Sequence, residues 1–357
     1  MTETDREATM RTPKIILLVP AHDEKVGIVA TMESVEAQTM SPDRRIVICD
    51  NCTDATPALA RSRPGWDVWQ TVGNTGKKGG ALNQAWERLR DHLSDDDYVV
   101  TMDADTLLDS RFVENAYAKY QQTRRKGQQL GGVCANFHGL KLDSALGLLQ
   151  MMEYARAEKI NRSRRGIVPV LAGAATMFSV RALREVYDSR GRLYEPVLTE
   201  DYELSLALRV HGYETMAPRS CLAHTELMPT ARMLWAQRLR WYRGAFESLR
   251  EYGFRKHIRS DIGWLAFSLW AAASRWLFLV ALTVLLFTPG QMTFSPLLLP
   301  LFAFASVIRM VQVKELGWKY VLLAGVMVEE LYNALFLETV LWRSAYLAFF
   351  AKTSGKW

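Results

Sequence analysis

The segment Tyr98-Val99-Val100-Thr101-Met102-Asp103-Ala104-Asp105 places two carboxylates directly after a continuous apolar run. A short apolar run of this kind is typical of a buried parallel strand. Residues two apart at a strand end point the same way, so Asp103 and Asp105 can face one hard cation. A D-x-D by itself is weak evidence, because surface acids often produce the same pattern.

The residues before this segment alternate between apolar runs and helical spacing. They predict strands at 14–20, 45–49 and 67–72, and helices at 24–38, 54–63 and 79–93. Alternation with short links predicts an α/β fold with a mostly parallel sheet covered on both faces. Ligands bind at the carboxyl ends of the strands in such sheets. Acidic residues follow three of the predicted strands, at Glu24, Asp50 and Asp103.

The pattern after residue 107 is less regular. It predicts a strand at 130–137 and helices at 144–160, 199–210 and 230–252, and residues 168–179 are small and apolar. The predicted helix at 230–252 is strongly basic.

The composition is that of a globular protein. The chain has 357 residues, 49% of them hydrophobic and 23% charged, with a formal net charge of +6. These values exclude intrinsic disorder and fibrous repeats and suggest one large domain or two smaller ones. Four cysteines are too few for a disulfide scaffold. Cys49 and Cys52 form a C-x-x-C, which leaves redox or metal use open as an alternative.

The last hundred residues have a different character. No charged residue lies between Arg275 and Arg309. The apolar stretch Ile262–Phe287 supplies the ~20 residues that a bilayer span needs, and a turn signal follows at Pro289-Gly290. A second apolar stretch, Phe294–Ile308, is broken by two prolines. For a third, Tyr320–Phe350, spanning the membrane, re-entering it and lying in its interface all stay open. We therefore predict a first domain at 1–257, including a basic interfacial helix at about 230–257. A membrane region of two to four segments is predicted at 258–357.

Charge predicts how this region is oriented. The residues before the first apolar stretch are rich in arginine and lysine, which favours the cytoplasmic side for the first domain. The polar start of the chain lacks the apolar core of a signal peptide, which agrees with a cytosolic first domain. Anionic lipid explains the basic patch better than nucleic acid does. The interior acids Glu329, Glu330 and Glu338 favour contact with another helix or subunit over exposure to lipid.

Several motifs follow one another in a specific order. Gly76-Lys77-Lys78-Gly79-Gly80 is a basic glycine turn before a helix, suited to an anion, although a solvated turn has the same sequence. The D-x-D is followed by Thr199-Glu200-Asp201 and by Gln237-Arg238-Leu239-Arg240-Trp241. A Gln, an Arg and a Trp at i, i+3 and i+4 share one helical face. In this order the motifs resemble glycosyltransferase family 2, and its cellulose and hyaluronan synthase-like members in particular.

The resemblance implies a GT-A fold, which is Rossmann-like, and a role for each matching residue. The implied donor-binding residues are Pro20, Ala21, Glu24, Asp50, Lys78, Asp103, Gln237, Arg240 and Trp241. The implied metal ligands are Asp105, Asp103 and His224, and a structural histidine is the alternative for His224. The implied catalytic residues are Asp201, as the base, with Glu200 and Thr199. The acceptor would contact Gly173, Ala174, Asp201 and Trp241, although close packing also explains the small residues.

The implied activity is a metal-dependent, inverting transfer of a sugar from a nucleoside-diphosphate sugar, a UDP-sugar first among them. The metal would be Mn²⁺ or Mg²⁺. The acceptor would be a hydroxyl of a glycan, a lipid-linked sugar or a protein. The few apolar segments predict the addition of one or a few sugars by a membrane-bound enzyme with a cytosolic catalytic domain. Two alternatives stay open: processive polysaccharide synthesis by a homo-oligomer joined through the C-terminal helices, and an inactive nucleotide-sugar-binding scaffold.

Overall fold

The computed structural model describes residues 11–140, 142–287 and 298–351. These residues form two compact units. The first unit runs up to Phe137 and includes Arg164–Pro196 and Glu200–Glu226, and the second takes His138–Ser163, Val197–Thr199 and the residues from Leu227 onward. The units do not follow the predicted division at residue 257, because segments from both sides of that residue pack together in the second unit.

The strands in chain order are β1 (Ile15–Ala21), β2 (Arg44–Cys49), β3 (Asp67–Gln70), β4 (Tyr98–Met102), β5 (Leu107–Leu108), β6 (Leu130–Cys134), β7 (Asn136–Gly139), β8 (Ala175–Ser179), β9 (Glu214–Met216) and β10 (Leu222–Thr225). Within the described residues, seven of them form one sheet in the order β3-β2-β1-β4-β8-β6-β9. Strand β8 runs antiparallel to β4 and β6, and the other pairings are parallel. The predicted mostly parallel sheet is confirmed.

The helices in chain order are α1 (Ile28–Glu36), α2 (Thr56–Arg61), α3 (Lys77–Leu89), α4 (Phe112–Arg124), α5 (Ala145–Ser163), α6 (Val180–Arg190), α7 (Glu200–Val210), α8 (Ala231–Tyr252), α9 (Arg259–Leu286), α10 (Leu298–Val313), α11 (Trp318–Gly325), α12 (Val328–Tyr332) and α13 (Glu338–Phe350). Helices α4 and α6 are additional to those predicted. Their apolar residues lie among many charged ones, so hydrophobic spacing alone did not reveal them.

The strand order decides where a ligand can bind in the first unit. Strand β1 pairs with β2, the next strand in sequence, on one side and with β4 on the other side. The direction in which strands are added to the sheet therefore reverses between β1 and β4. In open α/β sheets the crevice at such a switch point, outside the carboxyl ends of the strands, receives the ligand. Pairing between β1 and β4 stops at Leu18, whereas pairing between β1 and β2 continues to Ala21. The carboxyl end of β1 is therefore free of β4.

The predicted strand at 130–137 is two strands. Strand β6 belongs to the large sheet, and β7 belongs to a three-stranded sheet with β5 and β10. The chain changes sheets at Ala135, which is buried and whose N–H donates to Ala175 O at 3.0 Å. A single apolar run cannot show this change, because both halves are buried at the point where it happens.

In the second unit, α8 packs along α13. The rings of Phe246 and Phe349 meet edge to face at 5.8 Å between centroids, and Arg250 donates to Ala348 O at 2.6 Å. Helix α5 joins the same unit through Met152, which is buried with Val313 and Ala324. These contacts are why residues 138–163 and the basic helix belong with the C-terminal helices.

Charged side chains in the apolar C-terminal region pair with one another. Arg275 contacts Glu330 at 2.7 Å and Glu338 at 3.1 Å, and Arg309 also pairs with Glu330. Glu329, which is buried, pairs with Arg156 of α5. The expected helix contacts of these three glutamates are therefore found within one chain, since every one of them meets an arginine of another helix.

Among the described residues, one helix, Lys256–Ala281, is long and apolar enough to cross a membrane. The helical segments Trp318–Gly325 and Val328–Phe350 meet the combined criteria of length and apolar composition only when they are taken together, across a bend of 66°. One or two such helices are found among the described residues, where two to four segments were predicted. Helix α10, which contains the described part of the second apolar stretch, has only 16 residues. The predicted turn at Pro289-Gly290 and the start of the second stretch lie outside the described residues.

Candidate active site

The loop after β1 is tied to the loop after β2. Asp23 has a positive φ of 55° and accepts from Thr53 N at 2.6 Å and from Asp54 N at 3.1 Å. These bonds lower the pKa of Asp23. Pro20 and Ala21 are buried inside β1, so of the predicted donor-binding residues in this loop only Glu24 presents a partly exposed side chain.

Asp50 lies at the end of β2 and is buried. One oxygen, Oδ1, accepts from Thr71 Oγ1 at 2.8 Å and from the side-chain amides of Asn74 and Asn51 at 2.7 and 3.1 Å. Thr71 and Asn74 were not among the predicted site residues. They follow β3, and only the parallel pairing of β2 with β3 brings them beside Asp50.

The position of Asn74 also explains why residue 80, in the basic turn, is a glycine. A Cβ at Gly80 would lie 2.0 Å from Asn74 Oδ1, so the first turn of α3 admits the amide only when residue 80 has no side chain. Three residues further along α3, Asn83 accepts from Tyr194 N at 2.9 Å and donates to Tyr194 O at 2.8 Å. Gly80 and Asn83 of α3 thus help to hold two loops in place.

Lys78 is the centre of a charged cluster. Its ammonium donates to Asp103 Oδ1 and to Gly173 O, the latter at 2.9 Å, and lies 4.0 Å from Glu200 Oε1. Burial opposes the charge of this group, but Asp103, Glu200 and Asp201 outweigh burial and raise its pKa. Lys78 is therefore a cation held among three acids from two motifs, the D-x-D and the T-E-D.

A second group of acids surrounds the end of β4. Burial raises the pKa of Asp105, and the charges of Asp103 and Glu226 add to the effect. Burial likewise raises the pKa of Glu24, followed by the charge of Asp105. Glu226, directly after β10, was not predicted as a site residue. The position of Glu226 depends on the pairing of β10 with β5, and the sequence of neither short strand predicts this pairing.

His224 lies in β10, opposite Leu107 of β5. Across the described ranges, no three His, Cys, Asp or Glu side chains form a group that could hold a metal ion, and metal binding by Asp103, Asp105 and His224 stays a prediction. Two carboxylates at one strand end still fit Mg²⁺ or Mn²⁺, which bind proteins through one or two carboxylates and take further oxygens from substrate phosphates.

Asp201, in the first turn of α7, is held through both carboxylate oxygens. Oδ2 accepts from Gly173 N at 3.0 Å and Oδ1 accepts from Tyr202 N at 2.7 Å. A Cβ at Gly173 would lie 2.8 Å from Lys78 Nζ, so a glycine is needed where Lys78 reaches the backbone. Ala174 O accepts from Asp103 N at 3.1 Å. Gly173 and Ala174 therefore position Asp201 and Asp103, whereas acceptor binding by them stays a prediction.

The remaining predicted site residues belong to the second unit. Thr199 is buried, and Arg240 is exposed and donates to Leu198 O at 3.5 Å. Trp241 is 37% exposed, and Gln237 accepts from Arg238. The T-E-D motif is thus divided, with Thr199 in the second unit and Glu200 and Asp201 in the first.

The C-x-x-C cysteines lack the properties of a reactive pair. Cys49 is buried, and burial raises its pKa to about 12. Burial also raises the pKa of Cys52, whose sulfur donates to Ala21 O at 3.3 Å. Neither thiol is a thiolate near neutral pH, so the redox alternative gains no support.

Residues 98–310, more than half of the chain, match the model of the family described as glycosyl transferase family group 2. The chain belongs to this family. The match begins at β4, includes the D-x-D, the T-E-D and the Gln237–Trp241 segment, and confirms the resemblance that the motifs carried.

Curated relatives of this family member include two poly-β-1,6-N-acetyl-D-glucosamine synthases. The synthase of Staphylococcus epidermidis is 27% identical over 241 residues, and that of Staphylococcus aureus strain COL is 27% identical over 240 residues. Both alignments cover 66% of this chain and 55% of the relative. The chain thus spans about half the length of the curated relatives it matches.

Among solved structures, the mannosyltransferase PcManGT from Pyrobaculum calidifontis, in complex with GDP-Man and Mn²⁺, is similar to this chain with a TM-score of 0.60. The alignment covers 96% of this chain and 89% of PcManGT at 17% sequence identity. The likeness is one of fold, and it confirms the predicted GT-A architecture with a C-terminal helical region.

Proposed function

We propose that this glycosyltransferase moves a hexose from a nucleoside-diphosphate sugar, a UDP-sugar first among candidates, to an acceptor hydroxyl with inversion at the anomeric carbon. The observation that carries the proposal is the place of Asp201. Both of its oxygens are fixed by backbone N–H groups, and its charge acts on Lys78, whose ammonium also donates to Asp103.

The donor would lie in the crevice between the ends of β1 and β4. Asp50 and Glu24 would face its nucleoside, and Asp103 its ribose and phosphates. The preformed bonds of Asp50 to Thr71 and Asn74 support this role, because they hold a buried carboxylate in one orientation without any ligand. Gln237, Arg240 and Trp241 would contact the diphosphate and the acceptor.

Asp105 and Asp103 would hold Mn²⁺ or Mg²⁺, with His224 as a further candidate ligand. The bound cation would neutralise the charge that develops on the departing diphosphate. Lys78 would also stabilise the negative charge on the departing diphosphate, because its raised pKa keeps it positively charged at any physiological pH. The structure of PcManGT with GDP-Man and Mn²⁺ supports a divalent cation for this fold.

Asp201 would act as the general base. It takes the proton of the acceptor hydroxyl while the hydroxyl oxygen forms a bond to the anomeric carbon. The bond from that carbon to the diphosphate oxygen breaks on the opposite face, and the electron pair leaves with the diphosphate. A single displacement of this kind inverts the configuration.

The test is Asp201→Asn in the full chain. We expect turnover to fall by about 10²- to 10⁴-fold, the usual contribution of a general base. Nucleoside-diphosphate binding, measured by titration calorimetry, should stay close to that of the wild type. Asp188→Asn, at an exposed position of α6, is the control and should keep full activity. Full activity of Asp201→Asn would overturn the assignment.

The length of the product separates two forms of this function. The first is the addition of one or a few sugars. The second is processive synthesis, and the likeness to poly-β-1,6-N-acetyl-D-glucosamine synthases favours it. Labelled nucleotide sugars followed by gel separation would give a single product in the first case and a ladder in the second. No nucleoside diphosphate released from any donor with Mn²⁺ would point to an inactive scaffold.

We further propose that the enzyme is bound to a membrane with its catalytic unit in the cytosol. The support is α9, which exposes large apolar side chains along its length, Trp264, Phe267, Trp270 and Leu277 among them. Arg255 and Lys256 lie shortly before it and Arg259 is its first residue, as expected for a cytoplasmic flank.

A further inference from the structure

Arg238 stands inside the Gln237–Trp241 segment but is not one of its three motif residues. Among the described residues it is the largest fully buried side chain, with 1% of its surface exposed. Burying a guanidinium is costly unless the charge is paired and hydrogen-bonded. The partners of Arg238 must therefore offset the cost of burying its charge.

The partners of Arg238 lie on both sides of the motif and on a second helix. Its Nη2 donates to Glu153 Oε2 of α5 at 3.0 Å, and its Nη1 donates to Gln237 Oε1. Its guanidinium carbon lies 4.2 Å from the ring centroid of Trp241. One side chain thus contacts the first and the last residue of the motif and is anchored by an acid 85 positions earlier.

The environment keeps this group charged. Burial disfavours the charge on Arg238, but Glu153 outweighs burial and raises its pKa. Tyr242 lies beside the same carboxylate, and burial together with Glu153 raises its pKa to about 12. Arg238 and Glu153 therefore form a lasting ion pair within the second unit.

We propose that Arg238 is a positioning residue, held by Glu153, that fixes the amide of Gln237 and the ring of Trp241 for the reacting substrates. The proposal rests on the proposed function for what those two residues contact. A planar guanidinium can donate from its edge to two acceptors while its face stacks on an indole, whereas the ammonium of lysine donates from a single atom and has no flat face to stack. Arg238→Lys therefore keeps the charge and removes the geometry.

The first experiment observes Trp241 without requiring turnover. The full chain is labelled with 5-fluorotryptophan in detergent, and the resonance missing from Trp241→Phe is assigned to Trp241. We expect this resonance to shift in Arg238→Lys and in Glu153→Gln. The matched control is Arg243→Lys on the same helix, because Arg243 pairs with Glu247 at 2.7 Å and is also largely buried. The control should leave the Trp241 resonance unchanged.

The second experiment measures kinetics with the nucleotide sugar that supports turnover. A small displacement of a positioning group lowers catalysis steeply. We expect Arg238→Lys and Glu153→Gln to lower kcat about tenfold or more, with the donor KM changed less than threefold. Because the two residues act as a pair, the double variant should be no slower than Arg238→Lys alone.

The outcomes separate this proposal from the proposed function. If wild type turns over no nucleotide sugar, the proposed function fails, and the fluorine resonance still decides whether Arg238 orients Trp241. An unchanged resonance in Glu153→Gln, or Arg238→Lys with wild-type kcat, would overturn the positioning role. If Arg238→Lys fails to fold, Glu153→Gln, altered on another helix, gives the decisive measurement.

Discussion

At the scale of single residues, neighbouring side chains leave no room for a Cβ at several glycines. Gly244 of α8 lies against Thr199, and a Cβ at residue 244 would approach Thr199 Oγ1 to 2.3 Å. A Cβ at Gly173 would likewise lie too close to Lys78 Nζ, and a Cβ at Gly80 would lie too close to Asn74 Oδ1. Each glycine marks a place where the side chain of another residue, near or distant in sequence, packs against the backbone.

Gly244→Ala should lower stability although alanine favours helices over glycine by about 1 kcal/mol. Overpacking of a buried contact costs about 1–3 kcal/mol, and here the alanine methyl would overlap Thr199. We expect a lower thermal midpoint for the full chain in detergent. Gly263→Ala in α9 is the matched control, because nothing lies within 4 Å of the added Cβ. A variant at residue 244 as stable as this control would contradict the close contact.

The motif residues could be predicted from sequence, and their supporting residues could not. Lys78, Asp103 and Asp201 each belong to a recognisable motif, and the fold brings both acids near the Lys78 ammonium, while their roles stay predictions. Thr71, Asn74 and Glu226 support the same site from loops without a motif. Their positions follow from strand pairing and from the packing of α3, which are tertiary events that local patterns do not encode.

At the scale of elements, ion pairs connect the C-terminal helices. Arg275 of α9 reaches both Glu330 of α12 and Glu338 of α13, while Arg309 of α10 shares Glu330. The sequence predicted that the acids would avoid lipid, but not which arginines they meet. Charge alone gives no partner, because that choice depends on how the helices bend and pack.

Arg275→Met should destabilise the full chain. Removing one partner of a buried pair leaves an uncompensated charge, which costs about 3–5 kcal/mol when fully buried. Arg275 is 33% exposed at the side chain, so we expect about 1–3 kcal/mol, seen as a lower thermal midpoint. Arg259→Met, at an exposed position of the same helix, should change little.

A second substitution tests whether the lost pair is the cause. Glu338→Gln in the Arg275→Met background removes the carboxylate left without its arginine, while Glu330 keeps Arg309. We expect part of the thermal midpoint to return. A double variant less stable than Arg275→Met would show that the destabilisation has another origin.

At the scale of the whole molecule, the predicted membrane binding depends on α9. Its exposed apolar surface is unsuited to water, and the charged side chains around it are paired within the chain. The predicted boundary near residue 257 separates polar from apolar sequence. The compact units follow packing instead, so α5 and α8 join the apolar helices.

The full chain expressed in cells should stay with the membrane pellet after an alkaline carbonate wash, because burial of a ~20-residue apolar helix resists extraction. A peripheral protein held by basic residues alone would be released, since its attachment is electrostatic. As a control, a variant with α9 residues Trp264, Phe267, Trp270 and Leu277 changed to serine should move to the supernatant. Release of the wild-type chain would contradict the membrane anchor.

The packing of α5 also constrains how the protein is made. Met152 finds its buried neighbours Val313 and Ala324 only near the end of the chain. During synthesis, α5 leaves the ribosome long before α10 and α11 have been made. Its apolar face therefore stays exposed until those helices are available to cover it. Long-range contacts of this kind slow folding and expose nascent chains to misassembly. The first unit, whose last segment ends at Glu226, has no such delay, so it can fold while the rest of the chain is still being translated.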